Sequence, residues 1–274
     1  MELAATGAGA AEAGADPRAS TPLLGVDGVT VRFGGVTALQ DVTFGVARGA
    51  ICGLIGPNGA GKTTLFNCIS RIYLPDAGAI RFEGRSLTSF ARHEIAALGI
   101  ARTFQNVALF STMTTRDNVR VGAHSLASSG FLANALRFSS SAREEQRVAE
   151  RADALVEEFR LASVAEKPVG ELPFALRKRV ELARALAVDP KLLLLDEPAS
   201  GLNHEEVEQL AEEIRAIRDR RGVAILLVEH HMNLVMRISD QVVALDFGRV
   251  IADGAPDDVR ANPDVVRAYL GAAR

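Results

Sequence analysis

The sequence predicts an α/β fold: a mostly parallel sheet covered by helices, with an antiparallel β-subdomain at its N-terminal end and a helical segment inserted in the middle. Three observations predict it. Ile51–Ile55, Leu192–Leu195 and Val223–Val228 are short, uninterrupted apolar runs, the length and pattern of strands buried on both faces. A run with helical spacing (Val207, Leu210, Ile214, Ile217) lies between the last two, as a βαβ unit requires. Ahead of the first run, Val29, Val31 and Phe33 alternate with Thr30 and Arg32, and Val42, Phe44 and Val46 alternate likewise, the period of half-buried antiparallel strands.

Taken in order, residues 1–20 are an Ala- and Gly-rich leader with little to bury, expected to be disordered. Residues 21–274 form the folded domain, with structure beginning near Leu23. The two alternating strands lead into the Ile51–Ile55 strand, a glycine-rich turn and a helix over Lys62–Ser70. Ile80, Phe82 and Glu83-Gly84 suggest a hairpin. Residues of about 107–190 read as mainly helical; Val148, Ala152, Leu155 and Phe159 share one face, with Ser141 as a candidate N-cap. Asn203 and Glu206 have the spacing of a capping box ahead of the next helix. Val242–Leu245 and Val250-Ile251 flank Asp246-Phe247-Gly248-Arg249 as a second hairpin.

Composition narrows the function. Of 274 residues, 48% are hydrophobic and 24% charged, ordinary for a globular protein. The net charge of −3 provides no basic field for nucleic acid, and an aromatic content of 5% without Trp provides no platform for stacked bases. No apolar run approaches the roughly 18 residues of a membrane helix. The N-terminus has no basic and apolar signal pattern, so a membrane role would pass through a partner. Cys52 and Cys68 read as buried free thiols of a reducing compartment. Lysine occurs only at 62, 167, 178 and 191, so a lysine inside a motif carries weight.

Lys62 is such a lysine. Gly56-Pro57-Asn58-Gly59-Ala60-Gly61-Lys62-Thr63-Thr64 matches the phosphate-binding loop, between a buried strand and a helix. Glycines let successive backbone N–H groups curl around phosphate oxygens, and the helix N-terminus adds partial positive charge. Lys62 would reach the β- and γ-phosphates and the Thr63 hydroxyl would ligate Mg²⁺. Leu192–Leu195 ends in Asp196-Glu197; there Asp196 would hold Mg²⁺ through water and Glu197 would orient or deprotonate the attacking water. Together the two elements define a P-loop NTPase core. No Asn-Lys pair exists for guanine recognition. Asp246-Phe247-Gly248 spells the magnesium motif of protein kinases, but no His-Arg-Asp accompanies it. His93-Glu94 begins a zinc-protease pattern that fails at Ala97.

From about Leu23 to Arg274 the chain resembles the ABC ATPases. Thr103-Phe104-Gln105 is similar to that family's Q-loop, Ser200-Gly201-Leu202-Asn203 to its D-loop and Glu229-His230 to its switch region. The resemblance implies that Gln105 contacts Mg²⁺ and the attacking water, that His230 contacts the γ-phosphate and that Phe33 stacks on adenine. It makes the helical segment the signature subdomain. Arg102–Phe110, Glu229–Met236 and the tail Asn262–Gly271 resemble the larger ATPase subunit of branched-chain amino-acid importers. This implies ATP and Mg²⁺ as cofactors, and a second ABC ATPase or a second copy as partner. It also implies two membrane permease subunits, indirect work with a periplasmic or surface solute-binding protein, no nucleic acid, and a cytoplasmic place on the inner face of the membrane. A soluble regulatory ABC ATPase and an ATP-gated module with little turnover are the alternatives.

The chain departs from the family in its signature, and His231 replaces the aspartate usual after the switch histidine. Where the signature reads Leu-Ser-Gly-Gly-Gln, this sequence has Leu172-Pro173-Phe174-Ala175-Leu176. In the family that segment faces the ATP held by the partner. Pro173 has no N–H and Ala175 adds a Cβ where backbone must approach closely, so the partner's site is expected to hydrolyse poorly.

Overall fold

The computed structural model describes residues 21–103, 108–123 and 139–271. The leader, Gln105 and its neighbours 104–107, and the stretch 124–138 lie outside the described residues. Strands β1 (Leu24–Phe33), β2 (Val36–Val46), β4 (Ala77–Phe82) and β5 (Arg85–Ser86) form an antiparallel sheet in the order β2-β1-β4-β5. The second sheet has six strands: β3 (Ile51–Ile55), β6 (Ile100–Arg102), β7 (Leu192–Asp196), β8 (Ala224–Val228), β9 (Gln241–Asp246) and β10 (Arg249–Gly254). Their order is β10-β9-β3-β8-β7-β6, parallel except for the β9–β10 hairpin.

The uninterrupted apolar strands have a direct consequence. Successive side chains point to opposite faces, so both faces of the parallel sheet must be covered. Ile51, Ile55, Leu193, Leu195, Ile225 and Leu227 pack on one side, against the helices. Cys52, Leu54, Leu192, Leu194 and Leu226 pack on the other, against the antiparallel sheet and helix α1 (Lys62–Ile69). Cys52 and Cys68 are buried and free, as expected, and burial, with Asp76 nearby, pushes the Cys68 thiol up to about 11.

Between β6 and β7 stand α2 (Thr115–Ala123), α3 (Ser139–Glu158) and α4 (Phe174–Leu186), with 3-10 turns at Ala162–Val164 and Val169–Glu171 between the last two. Ala152, Leu155 and Phe159 are buried, as their spacing predicts. Ser141 lies inside α3 rather than capping it. The buried Asn118 amide donates to the carbonyls of Phe110, Met113 and Thr114 and accepts from Phe110 N–H, which ties this turn to α2. Helix α5 (His204–Arg221) starts with the predicted capping box: Glu206 N–H donates to Asn203 Oδ1 at 3.0 Å and Asn203 N–H to Glu206 Oε2 at 2.8 Å. Helices α6 (Met232–Ile238), α7 (Pro256–Ala261) and α8 (Pro263–Gly271) follow. β6 escaped prediction because three residues carry no readable period.

Candidate active site

The glycine-rich loop leaves β3 at Gly56. Its φ of 151° and the Leu245 carbonyl oxygen, which a Cβ would overlap, both demand glycine. Gly61 (φ 101°) caps α1; a Cβ there would lie 2.6 Å from the Ala38 carbonyl oxygen. Gly248 N–H donates to the Ala60 carbonyl at 3.1 Å, so the β9–β10 turn braces the loop. Lys62 is the first residue of α1 and is buried. Its ammonium donates to the carbonyls of Gly56 (2.6 Å) and Pro57 (3.0 Å). Burial lowers its pKa, against the charges of Glu197 and Asp196, which support the ammonium.

Asp196 ends β7, buried, and Arg102 Nη2 donates to its Oδ2 at 2.8 Å. The same guanidinium donates to Asn67 Oδ1 (2.9 Å) and Ser70 Oγ (3.1 Å) and lies over the Phe66 ring. Arg102 therefore joins β6, β7 and α1 around the carboxylate. Glu197 stands at φ 48°, and its N–H donates to the Val228 carbonyl at 2.9 Å. A non-glycine residue in that region is uncommon and is held only where the surroundings enforce it. Its Oε1 lies 2.8 Å from His230 Nε2. Buried Glu229 accepts from Ala199 N–H (2.6 Å) and His230 N–H (3.0 Å), which ties the segment after β8 to the segment after β7.

Asn58, Gly59, Ala60, Gly61, Lys62, Thr63, Thr64, Glu197 and His230 line one cleft of ≈ 350 Å³, with Val36, Thr37, Ala38 and Phe247 at its margin. Sequence reasoning assigned all but the last four. Asp196 is not among the cleft-lining residues; it is buried at the end of β7. Phe33 is also outside the lining; it is 45% exposed, not core, with its ring against Tyr73 at 5.2 Å between centroids. Leu172–Leu176 lie at the head of α4, where Phe174 meets the loop after β7: a Cβ on Gly201 would be 3.0 Å from Phe174 Cε1. Pro173 is the residue before α4, with φ −53° and ψ 151°, so it is not in the first turn. The N–H groups of that turn belong to Phe174, Ala175 and Leu176. The proline thus stands ahead of the helix and takes no N–H from its first turn.

Sequence reasoning gave no role to Arg102 or Glu229. Both lie inside quoted motifs, but Asp196 and Ala199, which they bind, come from distant parts of the chain. Phe247, 86% exposed at φ 42°, lines the cleft, and the sequence marks it only as part of a hairpin turn and of a failed kinase pattern.

A glycine-lined cradle of N–H groups beside an ammonium suits a polyphosphate. The Thr63 hydroxyl and the Asp196 carboxylate are hard oxygen donors, the chemistry of Mg²⁺ sites that rely on substrate phosphates for further ligands. Among the described residues no group of three or more His, Cys, Asp or Glu is placed to hold a metal unaided.

Comparison with known proteins agrees with this chemistry. The family described as "ABC transporter" matches residues 39–200, and that described as "Branched-chain amino acid ATP-binding cassette transporter" matches residues 249–274. The chain is similar to the high-affinity branched-chain amino acid transport ATP-binding protein BraF of Pseudomonas aeruginosa, at 42% identity over 93% of this chain and 100% of that one. It is similar to LivG of Escherichia coli, which bears the same description, at 41% identity with the same coverage. Among solved structures it resembles an ATP-binding cassette of an ABC transporter in its ADP conformation, with a TM-score of 0.80 and 29% identity, covering 92% of this chain and 100% of that one. A nucleotide-free cassette gives a TM-score of 0.79 and 28% identity, covering 91% and 99%.

Proposed function

The chain belongs to the ABC transporter family, and on that premise we propose that it is the ATP-binding and ATP-hydrolysing subunit that powers an importer of branched-chain or related amino acids. The relatives' descriptions support the solute class, as does the match of its tail. It acts with membrane permease partners. Among the described residues no helix is long and apolar enough to cross a membrane. This accords with a subunit resting on the cytoplasmic face beneath two permease subunits, paired with a second ABC ATPase or a second copy and served indirectly by a solute-binding protein.

In this reading the loop of residues 56–64 cradles the phosphates through the N–H groups of residues 58–64, and Lys62 holds the β- and γ-phosphoryl oxygens. Thr63, Gln105 and, through water, Asp196 would hold Mg²⁺, which would supply positive charge against the phosphate oxygens. Arg102 keeps the Asp196 carboxylate at the end of β7. Glu197 orients the attacking water and accepts its proton, while His230, 2.8 Å from that carboxylate, contacts the γ-phosphate. Phe33 flanks the adenine. Leu172, Pro173, Phe174, Ala175 and Leu176 face the ATP of the partner.

The observation that carries the proposal is the convergence of Lys62, Glu197 and His230 on one cleft from three separate strand ends. Removing a general base costs about 10²–10⁴-fold. Glu197→Gln should therefore retain ATP binding and lose hydrolysis by that factor in a phosphate-release assay; full turnover by this variant would overturn the assignment.

A further inference from the structure

The last described helix touches the first glycine of the phosphate-binding loop. Gly56 N–H donates to the Tyr269 hydroxyl oxygen at 2.8 Å. This N–H is the first backbone donor beyond the β3–β9 ladder, whose final pair is Ile55↔Ala244. Every other side of Gly56 is also held. Its carbonyl accepts from Lys62 Nζ at 2.6 Å, and the Leu245 carbonyl crowds its Cα. The direction in which the loop leaves the sheet is thus set by three contacts, and one of them comes from the C-terminal helix.

Tyr269 is itself well placed. The Val265 side chain of α8 is buried, and the Tyr269 ring packs against the helix-side core, as do Ile251 and Ala252 of β10. Asp264 N–H donates to Asn262 Oδ1 at 2.8 Å and fixes the start of the helix. Burial raises the Tyr269 pKa, against the contact with Gly56 N–H, which lowers it, so the phenol stays protonated at neutral pH. A cavity of ≈ 450 Å³, lined by Asn58, Gly59, Phe247, Asp264 and Arg267 among others, separates the outer loop from α8. The Gly56–Tyr269 contact lies at the loop's base.

We propose that Tyr269 is a positioning residue for the phosphate-binding loop: its hydroxyl oxygen holds the Gly56 N–H, so that nucleotide affinity at Lys62 depends on the C-terminal helix. The proposal rests on the reading of this loop as the nucleotide site. Tyr269→Phe keeps the ring and deletes the acceptor, leaving a partly buried N–H without its partner. The peptide must then rotate to find another acceptor, and the loop is no longer preorganised for phosphate.

The test uses the full chain and Mg-ADP as probe, with titration calorimetry for affinity. Tyr269→Phe should raise the Kd for ADP about five- to tenfold, the usual weight of one such hydrogen bond. Arg267→Gln, on the same helix but in an exposed Asp264 ion pair, should leave it unchanged. Hydrogen exchange of the wild-type chain without nucleotide supplies a readout that needs no variant: the Gly56 amide should exchange at least tenfold more slowly than the Gly59 amide. Equal exchange at the two glycines overturns the proposal. So does a Tyr269→Phe chain that binds ADP as wild type does, with the nucleotide reading left standing. Failure of the wild-type chain to bind ADP overturns that reading, and the proposal with it.

Discussion

The phosphate-binding loop and the head of α4 would both meet the same kind of ligand, yet they obey different constraints. The loop satisfies its geometry within the chain. Gly56 is pressed by Leu245, Gly61 by Ala38, and Lys62 is held by two loop carbonyls. Any change there is opposed by neighbours already in place. At the head of α4, Phe174 is 37% exposed and Ala175 and Leu176 are only partly covered. The contacts that would discipline them come from another molecule. This chain's own packing therefore resists substitution in the loop and tolerates it in the signature segment, where the sequence departs from the family.

The sharpest break of that comparison is a pair of stability measurements. Gly61→Ala must hold φ 101° with a Cβ 2.6 Å from a carbonyl oxygen. It should lower unfolding free energy by on the order of 3 kcal/mol and abolish ATP binding. Phe174→Ala should cost less than about 1 kcal/mol in the isolated chain. Denaturant midpoints that fall equally for both would erase the distinction.

A smaller effect tests the partner-facing side. Pro173→Ser together with Ala175→Gly rebuilds the family pattern. The double variant should speed hydrolysis by a homodimer about tenfold, the weight of one hydrogen bond to a charged phosphate, with ATP affinity of the isolated chain unaltered. An unchanged rate would mean that the Phe174, Ala175 and Leu176 N–H groups at the head of α4 already suffice.

The smallest effect concerns the seam between the helical segment and helix α5. Glu158, at the end of α3, pairs with Arg221 and Arg220 of α5. Burial pushes its carboxyl up, but the hydrogen bonds and charges of Arg221 and then Arg220 bring it below its ordinary value of 4.5. A folded pKa below the unfolded one adds stability above about pH 4.5, and that stability is lost as pH falls through the folded value. Glu158→Gln should therefore cost a few tenths of a kcal/mol at pH 7, with solvent screening the pair. The difference from wild type should vanish at strongly acid pH. A difference that persists there would assign the loss to packing.

The sequence alone determined the sheet's two-sided burial, the capping box of α5, both hairpins and the loop with its lysine. Each of these depends on the identity and spacing of residues close together in the chain, where periodicity and turn chemistry act. Tertiary structure alone decided that Asp196 is buried against Arg102, that Phe33 turns its ring to Tyr73 rather than the core, that Pro173 precedes its helix, and that Tyr269 reaches back to Gly56. These are contacts between groups far apart along the polypeptide. Each partner has an ordinary local environment, and only the closing of the fold brings a donor within reach of its acceptor.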